Sequence, residues 1–452
     1  MTGHTPDRSS PHPSRQSEPR GSSGSDTGPG LAALHRWADS ASFADGTAEG
    51  LVLTDHHPAF PGRTALAWHE HVGSTSYTDP FGHGPGTWRY ARWTSPWTPV
   101  GLELDRPGAP QAHNAPDPVG ADELVPSWTA TGPTHSRLTV RLQVRDATGN
   151  ESDWYTMAQW APGDETVHRT TVPAQSDAFG TIEIDTFTAA PGRTTHAFRI
   201  QTLLLLADDQ EPDPRGTATS DAPPALHSLT MMVSNKAAPT RHTVSGHGGA
   251  WGTILEVPQR SQEVHTGHCP QYDGGGEAWA GPACTAMLTA YFGRGPADDE
   301  LLWIDPKDPA PDVDFTARAV YDYAYKGCGN WAFNAAYPAR YGLLGIVTRL
   351  RSLTELEHFI TAGIPIATAQ SARSNELGGY STAGNIMVVR GFEENGDVVV
   401  NDPLSPTDKD VRRTYPRGDF ERVWMAGGGI IYLVHPPQHQ LPPNIPGLPR
   451  NW

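Results

Sequence analysis

Three cysteines, Cys269, Cys284 and Cys328, are the residues of this sequence best suited by type to nucleophilic chemistry. A thiol attacks as its thiolate, which forms beside a base, a positive charge or a helix N-terminus. Cys284 lies in "GEAWAGPACTAMLTAYFG", whose apolar residues have helical periodicity up to the stop at Gly293. Ala280, four positions before Cys284, stands near the start of this predicted helix. The sequence therefore raises the question of whether a usable nucleophile is present.

The histidines of this half of the chain do not supply an evident base or metal ligand. His265 and His268 fall in a loop, where we expect solvated side chains, and His358 falls in a predicted helix, where we expect packing or surface exposure. Cys269 and Cys328 fall in two further loops, and we expect reduced thiols there rather than a disulfide. A Cys/His metal site from these loops is conceivable, but its spacing matches no standard zinc pattern. The sequence predicts no metal and no cofactor.

Composition limits the class of protein. The chain has 452 residues, for which two domains are the natural expectation, and its 47 Gly and 43 Pro predict many turns. The net charge of −17 argues against nucleic acid and against anionic membrane surfaces as partners. No apolar run is long enough to span a bilayer. With no coiled-coil pattern or exposed apolar helix evident, we expect a monomer.

The N-terminal half has the pattern of antiparallel strands. Residues 1–30 contain almost nothing apolar and predict a disordered tail without a signal peptide, hence a cytoplasmic protein, or a secreted one if an upstream start was missed. Residues 31–233 alternate apolar and polar positions between turns, as in "RLTVRLQVRDATGNESDWYTMAQWA", which predicts an antiparallel β-sandwich. Residues 234–252 are polar and predict a linker.

The C-terminal half changes pattern and predicts an α+β domain over residues 253–437, with a tail over 438–452. After the helix that contains Cys284, "SLTELEHFITAG" predicts a second helix with a capping box from Ser352 and Glu355. Strands are predicted at "IPIATAQ", "NIMVVRGF", "DVVVNDP" and "GIIYLVHP", and Asn395-Gly396 predicts a hairpin between the second and third.

Several motifs resemble the cysteine peptidase family 39-like proteins, in particular an actinobacterial branch with an N-terminal β-domain. In the C-terminal half these are "VPQRSQ", "YDGGGEAW", "GNWAFNAAY" and "MVVRGFEENGDVVVNDPLSPTDKDVRRTY"; in the N-terminal half they are "HRWADSASFADGTAEG", "SYTDPFG" and "WTSPW". The resemblance implies a papain-like α+β fold with a thiol nucleophile at a helix N-terminus. It also implies a histidine base, an orienting acid and an oxyanion-stabilising glutamine.

The family's roles transfer only in part. The oxyanion position falls on Gln262 and the orienting acid on Asp402, and both residues are present. The nucleophile position, after Trp in "EAWAGP", is Ala280, and the base position, in "AGNIMVVRGF", is Asn385. Alanine has no nucleophilic atom, and an asparagine amide does not accept a proton at neutral pH. Loss of either member of such a catalytic unit removes most of its rate enhancement.

Three hypotheses follow. The first is a pseudopeptidase that binds a peptide or protein in the former groove, with Trp279 and Trp331 lining the groove or closing the core. The second is an active cysteine peptidase with Cys284 as a displaced nucleophile, although a buried core cysteine is the commoner case. The third is a glycan- or cell-wall-binding protein. Its aromatic surface would come from tryptophans of the β-domain, which more often pack in such a core: Trp93, Trp97, Trp128 and Trp154.

Overall fold

The computed structural model describes residues 31–103, 118–208, 222–237, 244–370 and 385–452. The predicted N-terminal tail lies outside these residues. The described chain is mostly antiparallel β-sheet with few helices. None of its helices in these ranges is both long and apolar enough to cross a bilayer.

Within residues 31–103, 118–208 and 222–237, the N-terminal half contains sixteen strands and one short helix, numbered here in chain order. They are β1 (Leu31–Trp37), α1 (Ser40–Ala44), β2 (Thr47–Glu49), β3 (Leu51–Thr54), β4 (Ala65–Trp68), β5 (Gly73–Asp79), β6 (Gly84–Thr94), β7 (Thr98–Pro99), β8 (Leu102–Glu103), β9 (Pro118–Val119), β10 (Glu123–Thr131), β11 (Ser136–Arg145), β12 (Tyr155–Trp160), β13 (Gly180–Glu183), β14 (Thr186–Ala189), β15 (Ala197–Ala207) and β16 (Ala225–Asn235).

These strands form two larger antiparallel sheets and a small two-stranded one. The first sheet has the order β13-β14-β10-β16-β4-β3, with β1 also paired to β16. The second has the order β12-β11-β15-β6-β2, with β5 paired to β6 and β7 to β15. Strands β8 and β9 pair with each other.

The two larger sheets share one apolar core. Trp37 of the first sheet meets Trp93 of the second edge to face, with ring centroids 5.6 Å apart. Trp128 lies in the same core and is fully buried, as is Trp93. Apolar and polar side chains alternate along each strand. Because every second side chain points to the same face of a sheet, the apolar side chains of both sheets face this shared core.

The C-terminal half contains five helices and six strands among the described residues. They are α2 (Ala280–Tyr291), α3 (Pro311–Val320), α4 (Trp331–Ala336), β17 (Leu344–Arg349), α5 (Leu353–Thr361), β18 (Ile366–Gln370), β19 (Asn385–Phe392), β20 (Val398–Asn401), β21 (Arg412–Tyr415), α6 (Arg417–Ala426) and β22 (Ile430–His435). The strands form one antiparallel sheet in the order β17-β22-β18-β19-β20-β21.

The predicted helix, strands and hairpin of this half are confirmed, but the predicted capping box forms only in part. Helix α5 begins after Ser352, whose hydroxyl accepts a hydrogen bond from Glu355 N at 3.2 Å. The carboxylate of Glu355 accepts its return hydrogen bond from Arg351 N, one residue before the predicted partner. The four predicted strands are β18, β19, β20 and β22. Gly396, with φ +88°, turns the chain between β19 and β20.

Two predicted boundaries need correction. Strand β16 continues to Asn235, so the first residues assigned to the linker belong to a sheet. The C-terminal residues form no helix or strand, but they are not a free tail. Asn451 and Trp452 are buried, and Asn451 Nδ2 donates to Arg349 O at 2.9 Å. The carbonyl of Arg450 accepts a hydrogen bond from Leu34 N at 2.7 Å, which ties the chain end to β1.

The two halves are in direct contact through β10 and β17. Val347 N donates to the hydroxyl of Ser127 at 2.9 Å across this contact. The buried guanidinium of Arg349 forms an ion pair with Glu123 in the same region. Strand β17 therefore joins the C-terminal sheet to the N-terminal half.

Candidate functional site

A glycine-rich turn positions the start of α2. The turn has positive φ at Gly274, Gly275 and Gly276, with values of +77°, +71° and +58°. At Gly275 a Cβ atom would lie 1.8 Å from His265 O, so only glycine fits there. A short 3₁₀ helix, Gly276–Trp279, follows and leads directly into α2 at Ala280. Ala280 thus occupies the helix start, where a thiol would benefit most from the helix dipole.

Cys284 lies one turn further into the helix and is fully buried. Its Sγ donates to Ile386 O of β19 at 3.2 Å. Burial, with a smaller contribution from the negative charge of Asp402, raises the pKa of this thiol well above its usual range. A protonated, enclosed thiol has neither the charge nor the access that nucleophilic attack requires.

Asn385 and Asp402 are brought together at the start of β19. Asn385 Nδ2 donates to Asp402 Oδ1 at 3.1 Å, while Asn385 Oδ1 accepts from Ile386 N at 2.9 Å. Asp402 Oδ1 also accepts from Leu404 N at 3.2 Å. Its Oδ2 accepts from the hydroxyl of Tyr415 at 2.7 Å. The amide of Asn385 is therefore committed to structural hydrogen bonds on both its oxygen and its nitrogen.

Gln262 lies beside this pair. It is fully buried, and its backbone N donates to Pro403 O at 2.8 Å, next to Asp402. Its Nε2 donates to Glu263 Oε1 at 3.2 Å, whereas its buried Oε1 has no hydrogen-bond partner among the described residues. In this conformation Gln262 Nε2, the donor that an oxyanion would need, is hydrogen-bonded to Glu263 instead.

The two predicted groove tryptophans differ in environment. Trp279 is fully buried, and its Nε1 donates to Tyr272 O at 2.7 Å, so its side chain closes the core beneath the helix start. The suggestion that Trp279 lines a groove is therefore wrong. Trp331 is partly buried at the start of α4, where its backbone N donates to Asp185 of the N-terminal half.

His265 and His268 correct a second expectation, because neither is a freely solvated loop residue. The side chain of His265 is fully buried 2.7 Å from Asp314, and that of His268 is one-third exposed and 3.0 Å from Asp308. Burial lowers the pKa of His265, but its contacts with both carboxylates outweigh this and raise the pKa to about 9. Cys269 Sγ donates to Asp314 at 3.5 Å.

The other thiols do not form a second site with these histidines. Cys328 is buried, and its closest polar contacts are the carbonyls of Ala317 and Tyr272, at 3.6 Å and 3.7 Å. The thiol of Cys328 is therefore enclosed in the core. All three cysteines are free thiols.

The tryptophans of the N-terminal half offer little free aromatic surface. Trp93 and Trp128 are fully buried. Trp97 is covered by the guanidinium of Arg145, 3.9 Å from its ring centroid. Arg199 lies 4.9 Å from the ring centroids of both Trp97 and Trp154. A sugar would have to displace these cations before it could stack.

Three residues of these clusters carried no role in the sequence prediction. Tyr415 is the hydroxyl partner of Asp402, and it lies on β21, two strands from β19. Asp308 and Asp314 meet the two loop histidines from a separate part of the chain. A cluster of aspartates in "IDPKDPAPDVDF" was the available signal, but sequence separation hid its partners.

Comparison with known families matches most of the chain. A family model described as the Peptidase C39 N-terminal domain matches residues 33–107 and 110–234. A second, described as the Peptidase_C39 like family, matches residues 254–431. No curated protein matches the sequence significantly.

Two solved structures of Clostridium thermocellum endo-1,4-β-D-xylanase 10B are similar to parts of the chain. One contains the CBM22-1–GH10 modules complexed with xylohexaose, at 10% identity and TM-score 0.20; the match covers 54% of this chain and 32% of that one. The other is the C-terminal family 22 carbohydrate-binding module, at 14% identity and TM-score 0.15, covering 40% of this chain and 95% of that one. The chain thus spans about a third of the first structure. At these TM-scores neither likeness supports an argument about fold or ligand.

Proposed function

Because the chain belongs to the peptidase C39-like family and carries the N-terminal domain of that family, we propose that it is a pseudopeptidase that keeps the family's site as a binding surface for a peptide or protein. In this proposal the C-terminal half has the papain-like arrangement: α2 starts at the nucleophile position, β19 carries the base position, and Asp402 follows β20. The contact between Cys284 of α2 and Ile386 of β19 supports this pairing.

One observation carries the proposal: Ala280 and Asn385 occupy the two positions that would have to exchange a proton. Alanine offers no atom for covalent attack, and the amide of Asn385 donates to Asp402 instead of accepting a proton. The acid position, Asp402, is present beside these two residues and accepts a hydrogen bond from Tyr415. Such a site can hold a ligand without forming an acyl-enzyme.

The displaced-nucleophile alternative is disfavoured on physical grounds. Cys284 is fully buried, its thiol is hydrogen-bonded to a backbone carbonyl, and its pKa is raised by burial. The structure describes no histidine in hydrogen-bond contact with its sulfur. Catalysis through Cys284 would require α2 and β19 to separate.

The test is to rebuild the missing pair. We expect the double variant Ala280→Cys/Asn385→His to cleave members of a peptide library, and iodoacetamide to abolish that cleavage. The parent protein and each single variant should show no activity that iodoacetamide abolishes, because removal of either member of a catalytic pair removes most of the rate enhancement. The parent should also bind the peptide that the double variant cleaves, measured by fluorescence anisotropy.

Two results would contradict the proposal. Cleavage by the parent that iodoacetamide stops would identify an active peptidase, and Cys284→Ser would then test the displaced nucleophile. A folded double variant that neither cleaves nor binds any peptide would show that the retained residues do not form a binding surface.

A further inference from the structure

The cluster of His265, His268, Asp308 and Asp314 lies outside the proposed peptide site. One candidate ligand atom from each of these residues falls within 4.8 Å of the others. The side chains of His265, Asp308 and Asp314 are exposed by 0%, 1% and 2%, and only His268 reaches solvent, at 34%. Two loops therefore bring two imidazoles and two carboxylates to one enclosed point.

Part of this cluster is hydrogen-bonded, because Asp314 Oδ1 lies 3.2 Å from His268 Nδ1 and accepts from Cys269 Sγ. Other contacts in the cluster are close without being ordinary hydrogen bonds. His265 Nδ1 lies 2.7 Å from Asp314 Oδ2, yet neither atom has a hydrogen-bond partner of normal geometry among the described residues. His265 Nε2 and Asp308 Oδ2 are also buried without one. Buried polar groups are nearly always hydrogen-bonded, so four such atoms in one cluster require an explanation. If the lone pairs of His265 Nδ1, Asp308 Oδ2 and Asp314 Oδ2 converged on one bound ion, three of these four atoms would have a partner. His265 Nε2 would be the exception.

From this geometry we infer that His265, His268, Asp308 and Asp314 form a structural zinc site. Zinc bonds to imidazole nitrogen and carboxylate oxygen are about 2.0 to 2.2 Å long, so two ligand atoms on a tetrahedral ion are about 3.3 Å apart. The nitrogen–oxygen separations here are 2.7, 3.0, 3.2 and 3.6 Å, which bracket that value.

The chemistry of the donors favours zinc over calcium or magnesium. The latter two take oxygen ligands, whereas imidazole suits zinc and its neighbours in the transition series. Zinc would displace the proton that the two carboxylates stabilise on His265. Two neutral imidazoles, two carboxylates and one divalent cation then sum to zero charge, which offsets the cost of burying the carboxylates. Four protein ligands leave no open position, so the ion would be structural.

Such an ion would join the segment that contains Gln262 to helix α3. His265 ends the short 3₁₀ helix Glu263–His265, directly after Gln262, and Asp314 lies in the first turn of α3. Arg260 and Asp312 already pair between the same segments, with Nε 2.9 Å from Oδ1. This zinc site departs from the sequence prediction of no metal. The inference does not depend on whether the proposed peptide site is catalytic.

The first measurement is zinc content of the full-length protein. After treatment with a chelator and dialysis against zinc, we expect about one zinc ion per chain by mass spectrometry of the metal. Zinc at about 100-fold excess over its dissociation constant should raise the melting temperature by about 3 °C. Calcium at the same concentration should have no such effect. A chain that retains no zinc, or that takes calcium instead, overturns the inference.

Variants then identify the ligands. His268→Ala, at the partly exposed ligand, and Asp308→Asn should each weaken zinc binding by more than about 100-fold, since even residues that only orient a ligand change metal affinity by about 10- to 100-fold. His83→Ala is the matched control, because His83 lies in a different His/Asp cluster, with Asp79 and His168. This variant should leave zinc affinity unchanged. Equal zinc binding by His268→Ala and the parent contradicts the assignment.

A spectroscopic measurement covers the case in which the variants do not fold. Cobalt(II) substituted into the unmodified protein should give the intense visible bands of tetrahedral nitrogen and oxygen coordination. A thiolate-to-cobalt charge-transfer band would indicate coordination by Cys269 and would overturn the proposed ligand set.

Discussion

At the scale of single residues, the proposed pseudopeptidase site would replace a catalytic pair in two different ways. Ala280 at the proposed nucleophile position has no reacting atom, and it leaves the helix start undisturbed. Asn385 at the proposed base position directs a donor at Asp402, so the buried carboxylate has a hydrogen bond there. Under this proposal the chemistry would be lost at both positions while the local hydrogen bonding is preserved, because an amide can donate as an imidazole does.

Thiol labelling tests the same residues directly. In the native protein we expect iodoacetamide to modify Cys269 alone, because Cys284 and Cys328 are enclosed. Cys269 is partly buried against Asp314, so it should react more slowly than the same thiol in the denatured protein. Peptide mapping by mass spectrometry, with denatured protein as the control, measures each site. Rapid native labelling of Cys284 would revive the displaced-nucleophile hypothesis.

At the scale of elements, the short helix α4 depends on a cap from the other half of the chain. Asn330 Oδ1 accepts a hydrogen bond from Phe333 N at 3.0 Å, and Asp185, between β13 and β14, accepts from the backbone N–H groups of Trp331 and Ala332. A helix of six residues has few internal hydrogen bonds, so satisfaction of its first N–H groups is a large part of its stability.

The cap predicts a pH dependence of stability. Burial, partly offset by the backbone N–H donors of Trp331 and Ala332, raises the pKa of Asp185 to about 6. The folded state then holds this proton more tightly than the unfolded state, whose pKa is about 3.9. This contribution to stability is full below about pH 4 and is lost as pH rises through about 6, a change of at most about 3 kcal/mol.

Comparison of two variants isolates the effect. Asp185→Asn should remove this part of the pH dependence between pH 4 and 6, measured by urea unfolding midpoints. Asp153→Asn, at an exposed aspartate of the same half, should leave it unchanged. Parallel pH profiles for the parent and Asp185→Asn would contradict the assignment.

At the scale of the whole molecule, buried charge pairs hold the two halves together. Glu123 of β10 lies between Arg349 of β17 and Lys236, and the Arg349 side chain is only 3% exposed. Arg318 of α3 pairs with the nearly buried Asp164 of the N-terminal half, with Nη2 2.6 Å from Oδ1. Removal of one partner of a buried pair leaves the other charge without compensation, which is more costly than loss of an exposed pair.

We therefore expect Glu123→Leu to destabilise the protein by about 3 kcal/mol, because Arg349 would keep only its carbonyl contacts. Glu151→Leu is the matched control. Glu151 pairs with Arg145, and their side chains are 39% and 32% exposed, so its loss should cost less than about 1 kcal/mol. Chemical denaturation measures both. Equal effects would show that the contact between the halves does not depend on the buried charge.

Sequence alone determined the features that depend on neighbouring residues. Ser352 and Glu355 mark the start of α5, Asn395-Gly396 marks the hairpin, and "EAWAGP" has Ala280 at the position where the family resemblance predicts a nucleophile. Caps, turns and motif positions can be read in this way because their hydrogen bonds and φ angles are set within a few residues.

Tertiary structure decided what depends on residues far apart in the chain. The burial of His265 and its meeting with Asp308 and Asp314, the enclosure of Trp279, and the docking of Asn451 could not be read locally. A histidine in a polar loop has the same neighbours in sequence whether it faces water or two carboxylates. Which of these it meets is set by the packing of the segment that contains His265 against α3, and therefore by the fold as a whole.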